Sequence, residues 1–428
     1  MKILYVSQYF PPEMGAPAGR AAELARHWQQ AGHQVTVLTG FPNHPTGVLA
    51  PEYRSHFHRL VMQEQVSGVR VVRTWLLPLP NRKAHERMLN YSSFCVSSAL
   101  TGLGLCRPDL VIASSPQLLV GLSGWWLARW KRVPFILEVR DLWPESLAAV
   151  GMGNHDSMLY RVLARIAGFL YENSHHVVVV TPAFKGYLTQ HWHVPSEKIS
   201  IVENGVETNL FSPHAVDPEL RRCLGAEGKF LVSYVGTMGL AQGLATVVDS
   251  AETLQTTSPQ VLFLMVGEGA EKERIRGLAK ARGLKNMVFL DQQPREKIPA
   301  LICASDVCLV LLKKGDVFQT VIPTKMLEFM SCARPLILGV AGQAQRILEQ
   351  ANAGIVIEPE NSTELSRAIL RLAAGADVRE ALGRNGRRHI IEHFSRQRTA
   401  AAYAQILEGL VIGARWQQAA AASSPIYG

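Results

Sequence analysis

The chain has 428 residues, 47% hydrophobic and 18% charged, with a net charge of +9. That length allows two or three domains, and the balance belongs to a packed globular chain, which excludes a disordered one. Six cysteines without a CxxC pair or a histidine at ligand spacing argue against a disulfide framework and a zinc site, and point to a reducing cytoplasm.

The basic balance implies an anionic partner. Residues 1–205 carry 19 Lys and Arg against 13 Asp and Glu, so most of the excess lies in the first half. No RNP-type aromatic pattern, zinc finger or dense basic run is present, and nucleic acid is not expected as a partner. The opening MKILYVSQYF has too short an apolar run for a signal peptide.

In chain order, Lys2–Ser7 reads as a buried strand, followed by the loop Gln8–Gly19, a helix over Arg20–Gln30 and a strand over Gln34–Thr39. The loop is not GxGxxG, and no acidic residue closes the second strand, so a dinucleotide site is disfavoured. Gly15, Gly19 and Arg20 could still admit a phosphate to backbone N–H groups, with an ordinary turn as the competing reading. Residues 41–80, rich in Pro, His and aromatics, suit a binding loop with a hairpin over Met62–Val66 and Val69–Arg73.

The basic group Arg82, Lys83, His85 and Arg87 precedes an uncharged stretch, Met88–Cys106. It is too polar to span a bilayer and is expected as a buried helix, with docking of its basic flank on a membrane surface as the alternative. A helix over Leu118–Lys131 carries Trp125, Trp126 and Trp130, and the strand Pro134–Arg140 runs into Arg140, Asp141 and Glu145. Charged residues at the carboxyl end of an apolar strand are where open α/β sheets place ligand chemistry, although Asp141 and Glu145 could instead cap the next helix. His175, His176, His191 and His193 lack acidic or cysteine partners at metal spacing and are read as non-ligands.

After the linker Val206–Pro218 a second alternation begins, with glycine loops after the strands Phe230–Val235 (Gly236, Gly243) and Val261–Val266 (Gly267, Gly269). The stretch Phe318–Leu338 then predicts a helix with Pro323 in its first position and Lys325 in its first turn. A lone cation is unfavourable at that end of the macrodipole, and a bound anion reverses the sign. Glu328 shares a face with Lys325, so the two could hold a phosphate and a hydroxyl-rich group, with a solvated ion pair as the alternative. The pattern predicts an α/β chain of two facing doubly wound, Rossmann-like domains with a cleft between them, 1–205 and 206–395. A helix over 396–416 and a disordered tail, 417–428, complete the expectation.

Five ordered motifs carry a resemblance: the N-terminal strand with its Gly loop, Val202–Glu207 with Phe211 and Pro213, Tyr234–Gly236, Val266–Gly269 and Met326–Pro335. Together, from Met1 to about Ala414, they resemble the family 4 retaining glycosyltransferases of the GT-B fold. Asp141–Glu145 and the Gly239–Gly243 loop look most like a bacterial O-antigen and capsule subgroup that includes N-acetyl-fucosaminyltransferases. The resemblance implies a nucleotide-sugar donor on the second domain, an acceptor on the first, and a C-terminal helix that crosses back to the first domain.

On that resemblance, Glu328 matches the glutamate that accepts hydrogen bonds from the ribose, each worth roughly 1.5–3 kcal/mol. Gly15, Gly236, Gln242, Gly243 and Gly267 would admit the donor, Gln292, Gln293 and Arg295 would form the base-binding loop, and Thr324 would help hold the sugar. Arg20, Arg140, Asp141 and Glu145 would face the acceptor, and Asp141, Lys325 and Glu328 are the expected catalytic set. No DxD is present, which fits a metal-independent enzyme without a cofactor.

The sequence departs from the wider family at Thr320, where a second glutamate is usual, and at Thr237 and Gln242, where Arg and Lys are usual. Lys325 is the candidate replacement for that phosphate clamp, assisted by Lys313, Lys314 or Arg20. The expected reaction moves an N-acetylated or deoxy sugar from a UDP donor to a lipid-linked saccharide with retention, in the cytoplasm or peripherally at the inner membrane. A nucleotide-sugar 2-epimerase and a non-catalytic nucleotide-sugar-binding component of a polysaccharide assembly complex are the alternatives.

Overall fold

The computed structural model describes residues 1–44, 46–80, 84–146 and 157–423. The first part of the chain forms β1 (Lys2–Ser7), α1 (Ala16–Gln30), β2 (Gln34–Gly40), α2 (Pro51–Phe57), β3 (Val61–Val66), β4 (Val69–Thr74), α3 (Ala84–Leu103), β5 (Leu110–Ser114), α4 (Val120–Lys131), β6 (Phe135–Val139), α5 (Met158–Asn173), β7 (His176–Val179), α6 (Pro182–His191) and β8 (Ile199–Ile201). The second forms α7 (Pro218–Cys223), β9 (Phe230–Val235), α8 (Ala245–Thr257), β10 (Val261–Val266), α9 (Lys272–Ala281), β11 (Met287–Leu290), α10 (Ile298–Ala304), β12 (Val307–Leu311), α11 (Thr324–Ser331), β13 (Leu336–Gly339), α12 (Gln343–Ala351), β14 (Gly354–Val356), α13 (Ser362–Ala374) and α14 (Ala376–His389). A π-helical turn, Ile390–Phe394, leads into α15 (Arg396–Ser423).

The chain divides into two compact units: Met1–Glu203 with Gln397–Gly428, and Asn204–Arg396. In the first, eight strands lie in the order β3-β4-β2-β1-β5-β6-β7-β8. All neighbours are parallel except β3 and β4. Strands β5 and β6 are buried along their whole length, as helices on both sheet faces require. At the β3–β4 hairpin Ser67 and Gly68 both have positive φ, 51° and 81°, matching the right-handed strand twist. Within the segment expected as a binding loop, Pro51 starts the short helix α2.

Helix α15 belongs to the first unit. The Trp28 indole of α1 donates to the Ala400 carbonyl at 3.0 Å and meets the Tyr403 ring edge-on at 5.1 Å. The helix continues to Ser423, so the expected tail is helical over 417–423, and residues 424–428 lie outside the described residues.

Helix α3 is only half buried. Asn90, Tyr91, Phe94 and Ser98 face inward, whereas Leu89, Val96 and Leu100 are 52%, 60% and 66% exposed. The stretch is apolar on both faces, so its uncharged composition alone could not separate a buried helix from this one. Arg82 and Lys83 of its expected basic flank lie outside the described residues.

The second unit holds six parallel strands in the order β11-β10-β9-β12-β13-β14. The strand order reverses between β9 and β12, and the crevice at the carboxyl ends of such a pair is where open α/β sheets bind ligands. Beside it, α11 is anchored by the buried side chains Met326, Leu327, Phe329 and Met330. Its last residue is pinned as well, since Ser331 Oγ donates to the Phe211 carbonyl at 2.6 Å and Arg387 Nη1 donates to the Ser331 carbonyl at 2.9 Å. Pro323 is the N-cap of this helix, one position before the first turn expected for it.

Candidate functional site

In the second unit, the loop after β9 runs beneath the first turn of α11. Lys325 Nζ donates to the Tyr234 hydroxyl at 2.7 Å and stands 4.0 Å from the centre of the same ring. The Tyr234 hydroxyl in turn donates to the Thr237 carbonyl at 2.6 Å. A Cβ added to Gly236 would meet the same Nζ at 3.5 Å, an ordinary contact, and it is the positive φ of 145° that calls for glycine there. Burial pushes the Lys325 ammonium down to about 7, against the opposing pull of Glu328. A half-discharged lysine at the positive end of a helix is a poor resting arrangement and a good receptor for an anion.

Glu328, one turn further along α11, accepts from Arg295 Nη1 at 3.1 Å, and that guanidinium lies 5.0 Å from the Phe211 ring centre. Arg295, expected near a base, therefore neighbours the proposed ribose carboxylate. Thr324 occupies the first position of α11 and is half-buried. Lys313 is exposed after β12, and Lys314 Nζ is held 2.7 Å from Glu358.

The glycine loops after β9 and β10 use two of their own amides within the scaffold. The Gly236 N–H donates to the Val266 carbonyl at 2.9 Å and the Gly267 N–H to the Leu290 carbonyl at 3.1 Å, so neither amide is offered to a donor. Their glycines serve loop packing instead: a Cβ on Gly267 would lie 2.0 Å from the Gly236 carbonyl oxygen, and Gly267 has φ 140°. Gln242 is likewise engaged, its Oε1 accepting from the Gly239 N–H at 3.1 Å inside its own turn. Gly243 follows with φ 58°, and Gln293 Nε2 donates to the Asp291 carbonyl at 3.1 Å.

In the first unit, Arg20 corrects an expectation. Its side chain is 1% exposed and bonds Glu138 Oε1 at 2.8 Å and the carbonyls of Val202 and Glu203 at 3.2 and 3.1 Å. It is a buried structural ion, not an acceptor ligand or a clamp. Glu138 keeps its charge because the Arg20 and Arg140 guanidiniums and the Ser114 hydroxyl outweigh the desolvation that opposes it.

Arg140 reaches the carbonyls of Pro17 and Ala16 at 3.4 and 3.3 Å, beside Gly15, the exposed N-cap of α1. Asp141 lines a small cavity with Gln117, Trp143 and Tyr171, and its burial raises the carboxyl to about 6. Glu145 Oε1 accepts from the Tyr187 hydroxyl at 2.9 Å, while its Oε2 is buried without a hydrogen-bond partner among the described residues. Arg140, Asp141 and Glu145 thus gather after β6, and Gly15 stands close to Arg140.

Sequence reasoning missed Glu13, which is buried and accepts from the N–H groups of Asn43 and His44 at 2.9 and 3.0 Å, tying the loops after β1 and β2 together. Burial raises its carboxyl to about 7. It missed Tyr234 as a partner of Lys325 and Arg295 as a partner of Glu328 for the same reason: each pair is far apart in sequence. Among the described residues no group of three or more His, Cys, Asp or Glu is placed to hold a metal ion, and no helix is long and apolar enough to cross a membrane.

Two Rossmann-like domains, with candidate ligand groups at the carboxyl ends of the strands in each, define a two-domain α/β architecture, and solved proteins of that architecture match almost the whole chain. Sucrose-phosphate synthase of Thermosynechococcus elongatus superposes with a TM-score of 0.74 at 22% identity, covering 96% of this chain and 99% of the other. Anabaena HepE, solved in complex with UDP-glucose, superposes with a TM-score of 0.72 at 17% identity, covering 96% and 100%. The family model "Glycosyl transferase 4-like domain" matches residues 15–205, and "Glycosyl transferases group 1" matches residues 216–389. The chain thus carries both glycosyl transferase domains and is a glycosyltransferase. A relative named as a colanic acid biosynthesis glycosyl transferase, WcaI of Escherichia coli strain K12, is 26% identical over 342 residues, spanning 77% of this chain and 81% of its own.

Proposed function

We propose that this chain is a retaining glycosyltransferase that moves an N-acetylated or deoxy hexose from a UDP-sugar to a lipid-linked saccharide during O-antigen or capsule assembly. The likeness to HepE, solved with UDP-glucose, supports a UDP-sugar donor, and the likeness to WcaI, named for colanic acid biosynthesis, supports a role in saccharide assembly. The observation that carries the reading is Lys325, held at the N-terminus of α11 by Tyr234 with Glu328 one turn on.

In this reading the Lys325 ammonium and the positive end of α11 neutralise the departing diphosphate without a metal, and Glu328 accepts from the ribose hydroxyls. The acceptor hydroxyl attacks the anomeric carbon on the face the diphosphate leaves. The sugar–phosphate C–O bond breaks, a sugar–acceptor C–O bond forms, and the departing phosphate oxygen takes the acceptor proton. Asp141 and Glu145 orient the acceptor, and Arg140 meets its phosphate. The enzyme works at the cytoplasmic face of the inner membrane.

A thermal-shift panel of nucleotide sugars identifies the donor, because only a ligand that binds the folded state raises the midpoint. Lys325→Ala is expected to lower turnover a hundredfold or more, on the order of a lost oxyanion donor. Wild-type turnover in that variant, or no stabilisation by any nucleotide sugar, removes the proposal.

A further inference from the structure

We propose that the outer faces of α3, α4 and α5 form a docking surface for an anionic lipid bilayer, which rests on the lipid-linked acceptor proposed above. The three helices lie side by side, α3 against α4 and α4 against α5, where Trp125 meets Phe169 edge to face at 4.8 Å. Their outward side chains include large apolar groups. Trp126 and Trp130 of α4 are 41% and 64% exposed and stack on each other with ring centres 6.2 Å apart. Val96 and Leu100 of α3 are 60% and 66% exposed, and Met158 and Val162 of α5 are 82% and 40% exposed. Large apolar side chains exposed on three neighbouring helices mark an interaction surface.

Charge selects the occupant. The described side chains of these helices include five basic residues, Arg87, Arg129, Lys131, Arg161 and Arg165, against Glu86 in the first turn of α3 and Glu172 near the end of α5. Arg129 of α4 and Arg161 and Arg165 of α5 are exposed on the same helices as these apolar side chains. Indole rings and arginines around an apolar face suit the headgroup layer of an anionic membrane. A second copy meeting this face across a two-fold axis would set the same arginines against each other, which disfavours self-association.

The test is sedimentation of the full chain with vesicles of phosphatidylcholine alone and of phosphatidylcholine mixed with phosphatidylglycerol. Binding is expected only to the anionic vesicles, weakening with salt and accompanied by a blue shift of tryptophan emission. W126S/W130S should reduce it tenfold or more, and each of R129Q, R161Q and R165Q roughly fivefold. Absence of binding to anionic vesicles, or binding unchanged in W126S/W130S at an unaltered thermal midpoint, overturns the surface. Self-association that disappears in W126S/W130S without vesicle binding assigns the face to a second copy and overturns it too. Donor stabilisation is measured on the same samples: if it is present while vesicle binding fails, only the surface falls, whereas its absence counts against the glycosyltransferase mechanism itself.

Discussion

Lys325 Nζ lies 2.7 Å from the hydroxyl oxygen of Tyr234, a residue 91 positions earlier in the chain. The tyrosine fixes the lysine at the helix end, and its own hydroxyl is held by the Thr237 carbonyl. Tyr234→Phe keeps the ring beneath the ammonium and removes this hydrogen bond together with the one to the Thr237 carbonyl. A bond to a charged group contributes roughly 1.5–3 kcal/mol, so kcat is expected to fall about tenfold or more. Steady-state kinetics check it, and an unchanged kcat shows that the hydroxyl does not position the lysine.

The pH dependence of donor binding follows from the lowered Lys325. In the free protein its ammonium loses its proton near pH 7, well below the usual lysine range. A bound diphosphate favours the charged form and raises that value. Affinity for UDP is therefore expected to fall as pH rises above 7, and binding at pH 8 to take up a proton. Calorimetry in buffers of different ionisation enthalpy measures the uptake, and Lys325→Met should abolish it.

Glu328 is separated from a general structural role by its ligand. Glu328→Ala is expected to weaken UDP about tenfold or more, from the loss of charge-assisted bonds to the ribose. The same substitution should leave unchanged the weaker binding of a uridine diphosphate analogue lacking both ribose hydroxyls. Equal losses for the two ligands, read by calorimetry, would place Glu328 outside the ribose contact.

Arg20 is expected to govern stability rather than acceptor affinity. Arg20→Ala leaves the buried Glu138 without its 2.8 Å partner, and breaking such a pair costs about 3–5 kcal/mol. Chemical denaturation should show that loss. The acceptor KM of the fraction that remains folded should be unaltered.

Glu13 gives a pH signature of stability with the opposite construction. Its folded carboxyl is raised to about 7 by burial, so the folded state holds a proton that the unfolded chain releases at about 4.5. Its contribution to stability is full below the unfolded value and lost as pH rises towards 7. Glu13→Gln is expected to stabilise the protein at pH 8 by roughly 3 kcal/mol and to change little at pH 4, as thermal melts at the two values would show.

Much of the architecture was legible in the sequence because it is local. Continuous apolar runs such as Leu110–Ser114 and Phe135–Val139 mark strands covered on both faces, and the glycine loops after Val235 and Val266 mark their carboxyl ends. Lys325 and Glu328 share a face because they are three residues apart on one helix, a relation that helix geometry fixes without any tertiary contact.

Only the tertiary structure decided what each charged group does. Arg20 was indistinguishable from a phosphate ligand until Glu138, 118 positions away, proved to be its buried partner. The sequence could not show that the amides of Gly236 and Gly267 close on the carbonyls of Val266 and Leu290. Composition could not show that one apolar face of α3 stays outside beside the indoles of α4, because burial depends on which neighbours the fold brings. Sequence by itself determined where the strands end and which residues can stand there; long-range packing determined which of those residues are spent on the scaffold and which are left for chemistry, because desolvation and pairing depend on groups that spacing does not reveal.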